Sequence, residues 1–316
     1  MGLSAEELEQ HCQQILEDRR IKDKIVVLCE GEIKDVDGRR TPQAYKRMEQ
    51  MPDANFYKKC VPKFWNDKPR PQFFNCGNRK DVVDTYCKLR QLNDTQESYI
   101  NIEKLFALVD LDIQLHKINN YHYSDTEQIF NALYKETQTR KQAASKHFIW
   151  VTGLIHKEAY FITPDIQSVF NDSLLDPQYE NDLILLEKLY LKMCHEIIKD
   201  LDLKNNYTQV INRIDYCEYL DCCDIEILIT SWENEFKQAI IAVDEQRIRE
   251  LVFLLLTIRK AKEYWNQIEP ASYWSSGTER FREQLSLEIG EFYSKQDWNN
   301  PDNHIAFFFK TLHEFA

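Results

Sequence analysis

The chain predicts an α/β protein in which a small, mostly parallel sheet is followed by an all-helical C-terminal half. Residues 25–29, Ile-Val-Val-Leu-Cys, run unbroken into Glu30 and Gly31, the pattern of a strand buried on both faces. Residues 105–109, Leu-Phe-Ala-Leu-Val, repeat it ahead of Asp110-Leu111-Asp112, with a capped helical stretch between the two runs. Beyond about residue 163 the strand patterns cease and leucine-rich stretches of helical period take over.

Ser4 with Glu7 forms a capping box, and Leu8, Cys12, Ile15 and Leu16 recur at helical spacing, so residues 1–23 are read as an N-terminal helix packed on the adjoining domain. After the first strand, Asp35, Asp37 and Gly38 read as a polar turn, and Thr41-Pro42 starts a short helix to about Met51. Residues 53–59 read as another helical turn or two. The three prolines and Trp65 between Pro62 and Pro71 read as an exposed loop. Residues 71–77 are the next strand and its turn, and Asn78 caps a helix carrying Val82, Val83, Tyr86, Leu89 and Leu92 on its inner side. Ser124 and Glu127 open a capped helix to about Ala144, and residues 147–152 form a further strand ended by Gly153. Repeated βα alternation implies parallel pairing with right-handed crossovers. Helical periodicity then marks 181–200, 224–243, 244–265, 278–295 and 303–315, with 224–265 an αα-hairpin. The expected organisation is an N-terminal helix (1–23), an α/β domain (24–165) and a helical domain (166–316).

Composition narrows the function. With 40 basic and 52 acidic residues the net charge is −12, so contact with nucleic acid has to be local or assisted by a partner. Nine cysteines without a repeated Cys-x-x-Cys pair or a leader pattern read as reduced thiols of a cytoplasmic protein, and zinc is not expected. The longest apolar run, 251–258, is too short to span a bilayer. No Gly-x-x-x-x-Gly-Lys loop, HxH or HExxH spacing is present.

Two strands ending in acid suggest a cation site. If strand alternation continues through 105–112, Asp110 and Asp112 point the same way, about 6–7 Å apart. Mg²⁺ favours a few carboxylates completed by water and phosphate oxygens, so Glu30, Asp110 and Asp112 suffice for phosphoryl transfer on a polynucleotide. Each acid taken alone is equally an ordinary surface carboxylate. Residues 56–70 form a locally basic, ring-rich stretch, in which Lys58, Lys59 and Lys63 with Phe64 and Trp65 would suit single-stranded RNA. The alternative is a loop packed on its own sheet.

Cys29-Glu30-Gly31, Asn75-Cys76-Gly77-Asn78 before a helix, and Val109-Asp110-Leu111-Asp112 resemble the TOPRIM domain of topoisomerases, bacterial primases and OLD-type nucleases. Their order is most similar to a stand-alone anti-phage TOPRIM group with an Asp-x-x-Phe-Tyr helix, matched here by Asp53, Phe56 and Tyr57. About twenty residues between Gly31 and Asp53 depart from that pattern. The resemblance covers residues 24–163 and implies a Rossmann-like TOPRIM sheet. It also implies an Mg²⁺-dependent nuclease, with Mn²⁺ able to substitute. Glu30 would be general base or metal ligand, and Asp110 and Asp112 metal ligands. Glu158 is a candidate fourth ligand, or alternatively a helix-start acid paired with Lys157. Gly31, Gly77 and Asn78 would lie against substrate, and Lys80 would meet the scissile phosphate, although Gly77 also reads as a turn glycine and Lys80 as a solvated side chain.

Size and layout are similar to the nuclease subunits of PARIS-type defence, toxins released by an ABC-type ATPase sensor. The function expected is therefore an endonuclease toxin, RNA and in particular transfer RNA being slightly preferred over DNA, held by an ATPase partner and self-associating when active. The competing expectation is a catalytically inactive adaptor that docks a partner through its helical half. A topoisomerase or primase component is disfavoured by the remaining length and the lack of a zinc module.

Overall fold

A computed structural model describes residues 2–33, 52–93 and 98–316; the expected turn at 35–38 and the Thr41-Pro42 helix lie outside them. Strands β1 (Val26–Cys29), β2 (Gln72–Asn75), β3 (Leu105–Val109) and β4 (Ile149–Val151) pair entirely in parallel, in the order β2-β1-β3-β4. Every residue of the four is buried, as strands covered on both faces require, Gln72 and Asn75 at the ends of β2 included.

Cross-strand register sorts the faces. Val27 is level with Phe73 and Phe106, and Leu108 with Trp150, so these side chains share one face. Helix α1 (Ala5–Leu16) starts at the capping box expected: Ser4 N donates to Glu7 Oε2 at 2.7 Å, and Glu7 N to Ser4 Oγ at 3.3 Å. Helix α2 (Pro52–Cys60) reaches the Val27 face through Tyr57, stacked on Phe73. Helix α3 (Arg79–Asn93) connects β2 back past β1 to β3 and packs on the other face, with α1 outside it. Its cap is reciprocal: Asn78 Oδ1 accepts from Asp81 N at 3.2 Å and Asp81 Oδ2 from Asn78 N at 3.1 Å.

Helix α4 (Thr126–Leu133) is capped by Asp125, one residue after the expected Ser124, and stops well short of Ala144. A tight hairpin, Tyr134–Lys135 with Gln138–Thr139, interrupts it, turning through Glu136 and Thr137 at φ 50° and 61°. Beyond β4 the chain forms helices α5 (Ile166–Asp172), α6 (Leu186–His195), α7 (Ile225–Ala242), α8 (Glu245–Ile258), α9 (Thr278–Tyr293) and α10 (His304–Phe315). The α7–α8 hairpin is present, with Val243 at φ 55° between caps Asp224 and Asp244.

One feature differs from expectation. The C-terminal half is not all helical: Gln178–Tyr179, Asp182–Leu183 and Ile268–Glu269 form a small antiparallel sheet, of two-residue strands too short to show a period. One hydrophobic core cluster includes residues on both sides of position 165. Helix α10 covers the Val27 face, setting Phe309 against Phe73, Phe308 against Trp150 and Phe315 against Phe106, with ring centroids 6.1, 5.0 and 5.2 Å apart. None of the helices among the described residues is long and apolar enough to cross a membrane.

Candidate active site at the carboxyl ends of the sheet

The chain moves outward from β1 to β2 and then returns past β1 to β3, so strand order reverses between β1 and β3. In open parallel sheets a crevice opens outside the carboxyl ends at that point. Here β1 delivers Glu30 and β3 delivers Asp110 to a cleft of about 710 Å³. Gly31, Asp53, Gly77, Asn78, Arg79 and Asp112 line it, with His156-Lys157-Glu158 from beyond β4 and Lys260 and Lys262 from the segment after α8.

Glycine is required at two positions. Gly31, at φ 153°, and Gly77, at φ 84°, exchange backbone hydrogen bonds of 2.9 and 2.8 Å that close one wall of the cleft. A Cβ on Gly31 would stand 2.5 Å from Asp53 Oδ2 and Asn75 Nδ2; one on Gly77 would stand 2.6 Å from Asp81 Oδ2. The close approach at Gly77 is thus to the Gly31 backbone.

Glu30 and Asp110 sit side by side. Asp110 N donates to Glu30 Oε1 at 2.7 Å, and Lys157 N donates to Asp110 Oδ1 at 3.0 Å. The second oxygen of each carboxyl has no protein donor among the described residues. Burial pushes the Glu30 carboxyl up to about 7; the Asp110 N–H and Arg79 pull it down, and Asp112 adds to the rise. Burial, then the charges of Glu30 and Glu158, push Asp110 well above the ordinary range. Glu158 goes the other way. Burial would raise it, but Lys157, the His156 ring 3.2 Å away and Lys262 together hold it well below that range.

Asp112 follows a different geometry from the one its spacing suggests. Strand β3 ends at Val109 and Asp112 has φ 52°, so strand alternation does not bring the two aspartates to one face. Its carboxylate accepts from the Ile113 N–H at 2.7 Å and faces Lys260 Nζ at 3.8 Å. Its carbonyl is held at 2.8 Å by Arg213, a fully buried guanidinium that also binds Glu127 and the Thr257 carbonyl.

Among the described residues no three histidine, cysteine, aspartate or glutamate side chains stand together as a ready metal-holding group. Glu30, Asp110, Asp112 and Glu158 share the cleft, but Asp112 is turned to Ile113 and Glu158 is engaged by His156 and Lys157. Donor chemistry at Glu30 and Asp110 does fit a hard divalent cation. Two adjacent, partly buried carboxyls of raised proton affinity are the groups a cation would discharge, and Mg²⁺ needs only one or two carboxylates with water and substrate phosphate.

Several groups here went unrecognised in the sequence. Arg79, neighbour of the expected Lys80, lines the cleft, its guanidinium held by the carbonyls of Leu111 at 2.7 Å and Gln114 at 2.6 Å. Lys80 is exposed and lies 3.9 Å from Asp84 on its own helix. Lys157 is ion-paired to Asp53 and lies 3.9 Å from Glu158, which brings Asp53 into the site. His156 Nε2 accepts from the backbone N–H groups of Ala261 at 3.1 Å and Lys262 at 3.4 Å. Its proton therefore sits on Nδ1, 3.2 Å from Glu158 Oε2. Only the Lys-x-Lys spacing of Lys260 and Lys262 could have hinted at a cationic rim, and nothing in it pointed to this cleft.

The basic, ring-rich stretch is not a free surface. Phe56, Tyr57 and Trp65 are buried, and Phe64 stacks on Trp298 with centroids 4.1 Å apart. Lys59 pairs with Glu291 at 2.8 Å, and Lys68 donates to the His313 carbonyl at 2.8 Å. Lys58, Lys59 and Lys63 do not line the cleft. The rings serve as packing against α9 and α10, so the stretch offers no stacking platform.

No family model matches the chain, and neither does any curated protein or solved structure.

Proposed function

We propose that this cleft hydrolyses phosphodiester bonds in nucleic acid, with Mg²⁺ or Mn²⁺ held by Glu30 and Asp110. The observation that carries the reading is the pair of raised carboxyls at the strand-order reversal, surrounded by Arg79, Lys157, Lys260 and Lys262. A bound cation would supply charge neutralisation at the phosphate and a more acidic water. Glu30, pushed up to about 7 while the cleft is empty, would be ionised by the cation and serve as its ligand. Arg79, held by two carbonyls, presents its remaining donors to phosphate oxygens, while Lys260 and Lys262 grip flanking phosphates. In a chain of net charge −12 such local cations are the means of holding a polyanion.

The resemblance to stand-alone TOPRIM nucleases supports the same chemistry and extends it to a cytoplasmic toxin of anti-phage defence, restrained by an ABC-type ATPase partner and self-associating when active. With the aromatic stretch packed internally, the reading stays at nucleic acid and sets no preference for RNA. Purified protein, free of partners, is incubated with total RNA and with plasmid in Mg²⁺, Mn²⁺ or EDTA. Cleavage that needs the cation and is lost in Glu30→Gln and Asp110→Asn supports the proposal.

One observation favours a second reading. Lys157, paired with Asp53, already places a cation in the cleft, and among the described residues no three-donor group is assembled. A non-hydrolytic adaptor that docks a partner through its C-terminal half would fit this, and would neither bind Mn²⁺ in calorimetry nor cut either substrate.

A further inference from the structure

A second pocket, of about 420 Å³, lies at the opposite pole of the sheet. Its walls are Tyr86, Arg90 and Gln91 from the far end of α3, the loop Asn120–His122, and Lys146 and Phe148 just ahead of β4. Helix α3 runs antiparallel to the strands, so these groups gather at the amino ends, away from Glu30 and Asp110.

The pocket's polarity is one-sided. The chain carries 52 acidic residues, yet among the described residues no carboxylate lines this pocket, whereas Arg90, Lys146 and His122 do. Neither Arg90 nor Lys146 has an ion pair among the described residues; Arg90 Nη1 donates to Tyr86 Oη at 3.1 Å, and among the described residues the guanidinium's other donors have no hydrogen-bond acceptor. The Tyr121 hydroxyl accepts the N–H groups of Phe148 and Ile149, each at 3.3 Å, so its own proton is left for an acceptor. Beside it the exposed His122 ring lies 4.3 Å from the Tyr121 ring, and together they give an aromatic edge. Cations and rings lining one pocket match an anion joined to a planar group, and the volume falls in the small-ligand range.

We propose that this pocket binds a nucleoside monophosphate, its phosphate held by Arg90 and Lys146 and its base set against Tyr121 and His122. The assignment is independent of the cleft and of any nuclease activity. Isothermal titration of the full chain in EDTA, which keeps divalent cations out of the cleft, tests it with 5′-AMP, 5′-GMP, 5′-CMP, 5′-UMP, ribose 5-phosphate and inorganic phosphate. At least one nucleotide is expected to bind, and ribose 5-phosphate and phosphate at least about tenfold more weakly for want of stacking. The double variant Arg90→Ala/Lys146→Ala, exposed positions whose fold is checked by circular dichroism, is expected to weaken nucleotide binding at least about tenfold. Protein with Asp110→Asn is expected to bind the nucleotide as wild type does. The proposal is overturned if no nucleotide binds, if phosphate binds as tightly as the nucleotides, or if the double variant binds them unchanged.

Discussion

The backbone N–H of Asp110 donates to Glu30 Oε1 at 2.7 Å, bridging the ends of two adjacent parallel strands. Because β1 and β3 are in register from Val26 opposite Leu105 onward, Glu30 follows a residue level with Leu108 and stands one position short of Asp110, so its carboxyl reaches forward to the Asp110 N–H. The bond holds the Glu30 side chain down toward Asp110, where burial raises both acids.

Glu30→Gln keeps an acceptor for the Asp110 N–H and removes a charge that the folded chain accommodates poorly. We expect the variant to melt at pH 8 at or above the wild-type temperature, measured by circular dichroism. Under the proposed function its cleavage rate falls at least about 10³-fold, since a cation ligand is lost. A large loss of thermal stability would show that the carboxylate is structural.

Arg213 joins three parts of the chain: Glu127 at the start of α4, the Asp112 carbonyl and the Thr257 carbonyl. Arg213→Met strands the half-buried Glu127 carboxylate and leaves two carbonyls without their donor. A loss of about 3–5 kcal/mol, read as a lower urea midpoint, is expected. Arg213→Lys restores the charge but not the fork, and should recover only part of it.

Three buried histidines set the acid limit. Burial lowers His11, His147 and His304 from 6.5 to about 4. A histidine depressed in the folded state binds its proton more readily when unfolded, so its contribution is complete above pH 6.5 and is lost as pH falls from 6.5 toward about 4. His304, held between the Tyr160 hydroxyl and the Thr137 carbonyl, accounts for about 3 kcal/mol of that fall. Urea titrations across this interval should show stability dropping with pH, and His304→Gln should flatten the slope.

Lys260→Ala and Lys262→Ala act on substrate grip. Lys260 lies 3.8 Å from Asp112 and 2.7 Å from Asp202, and Lys262 lies 3.9 Å from Glu158 at the rim. Under the proposed function each substitution raises KM with little change in kcat and makes the salt dependence of binding shallower by about one charge. Cleavage rates measured over a range of salt concentrations separate this from a catalytic role.

The sheet is legible in the sequence because fully buried parallel strands favour apolar runs, as 25–29, 105–109 and 148–151 are; 71–76 is marked more weakly, by Phe73-Phe74 ahead of the Gly77 turn. The capping boxes at Ser4 and Asn78 are legible for a similarly local reason. Tertiary facts are not. Strand alternation ends at Val109, and the left-handed backbone of Asp112 takes its carboxylate away from the face that alternation predicts. The rings of 56–70 carry charges on either side in the sequence, yet α9 and α10, more than two hundred residues on, cover them. Arg79 and Lys80 differ by one position, and the turn of α3 decides which meets the cleft. Lys260 and Lys262 arrive from the far half of the chain, and no local pattern links them to Glu30.

The most direct test of the central claim compares cleavage by the wild-type and Glu30→Gln proteins, purified free of partners, on total RNA and plasmid with Mg²⁺ and with EDTA. The account predicts products from the wild type with Mg²⁺, and none with EDTA or from Glu30→Gln. Intact substrates in every wild-type reaction, or cutting that persists in Glu30→Gln, would contradict it.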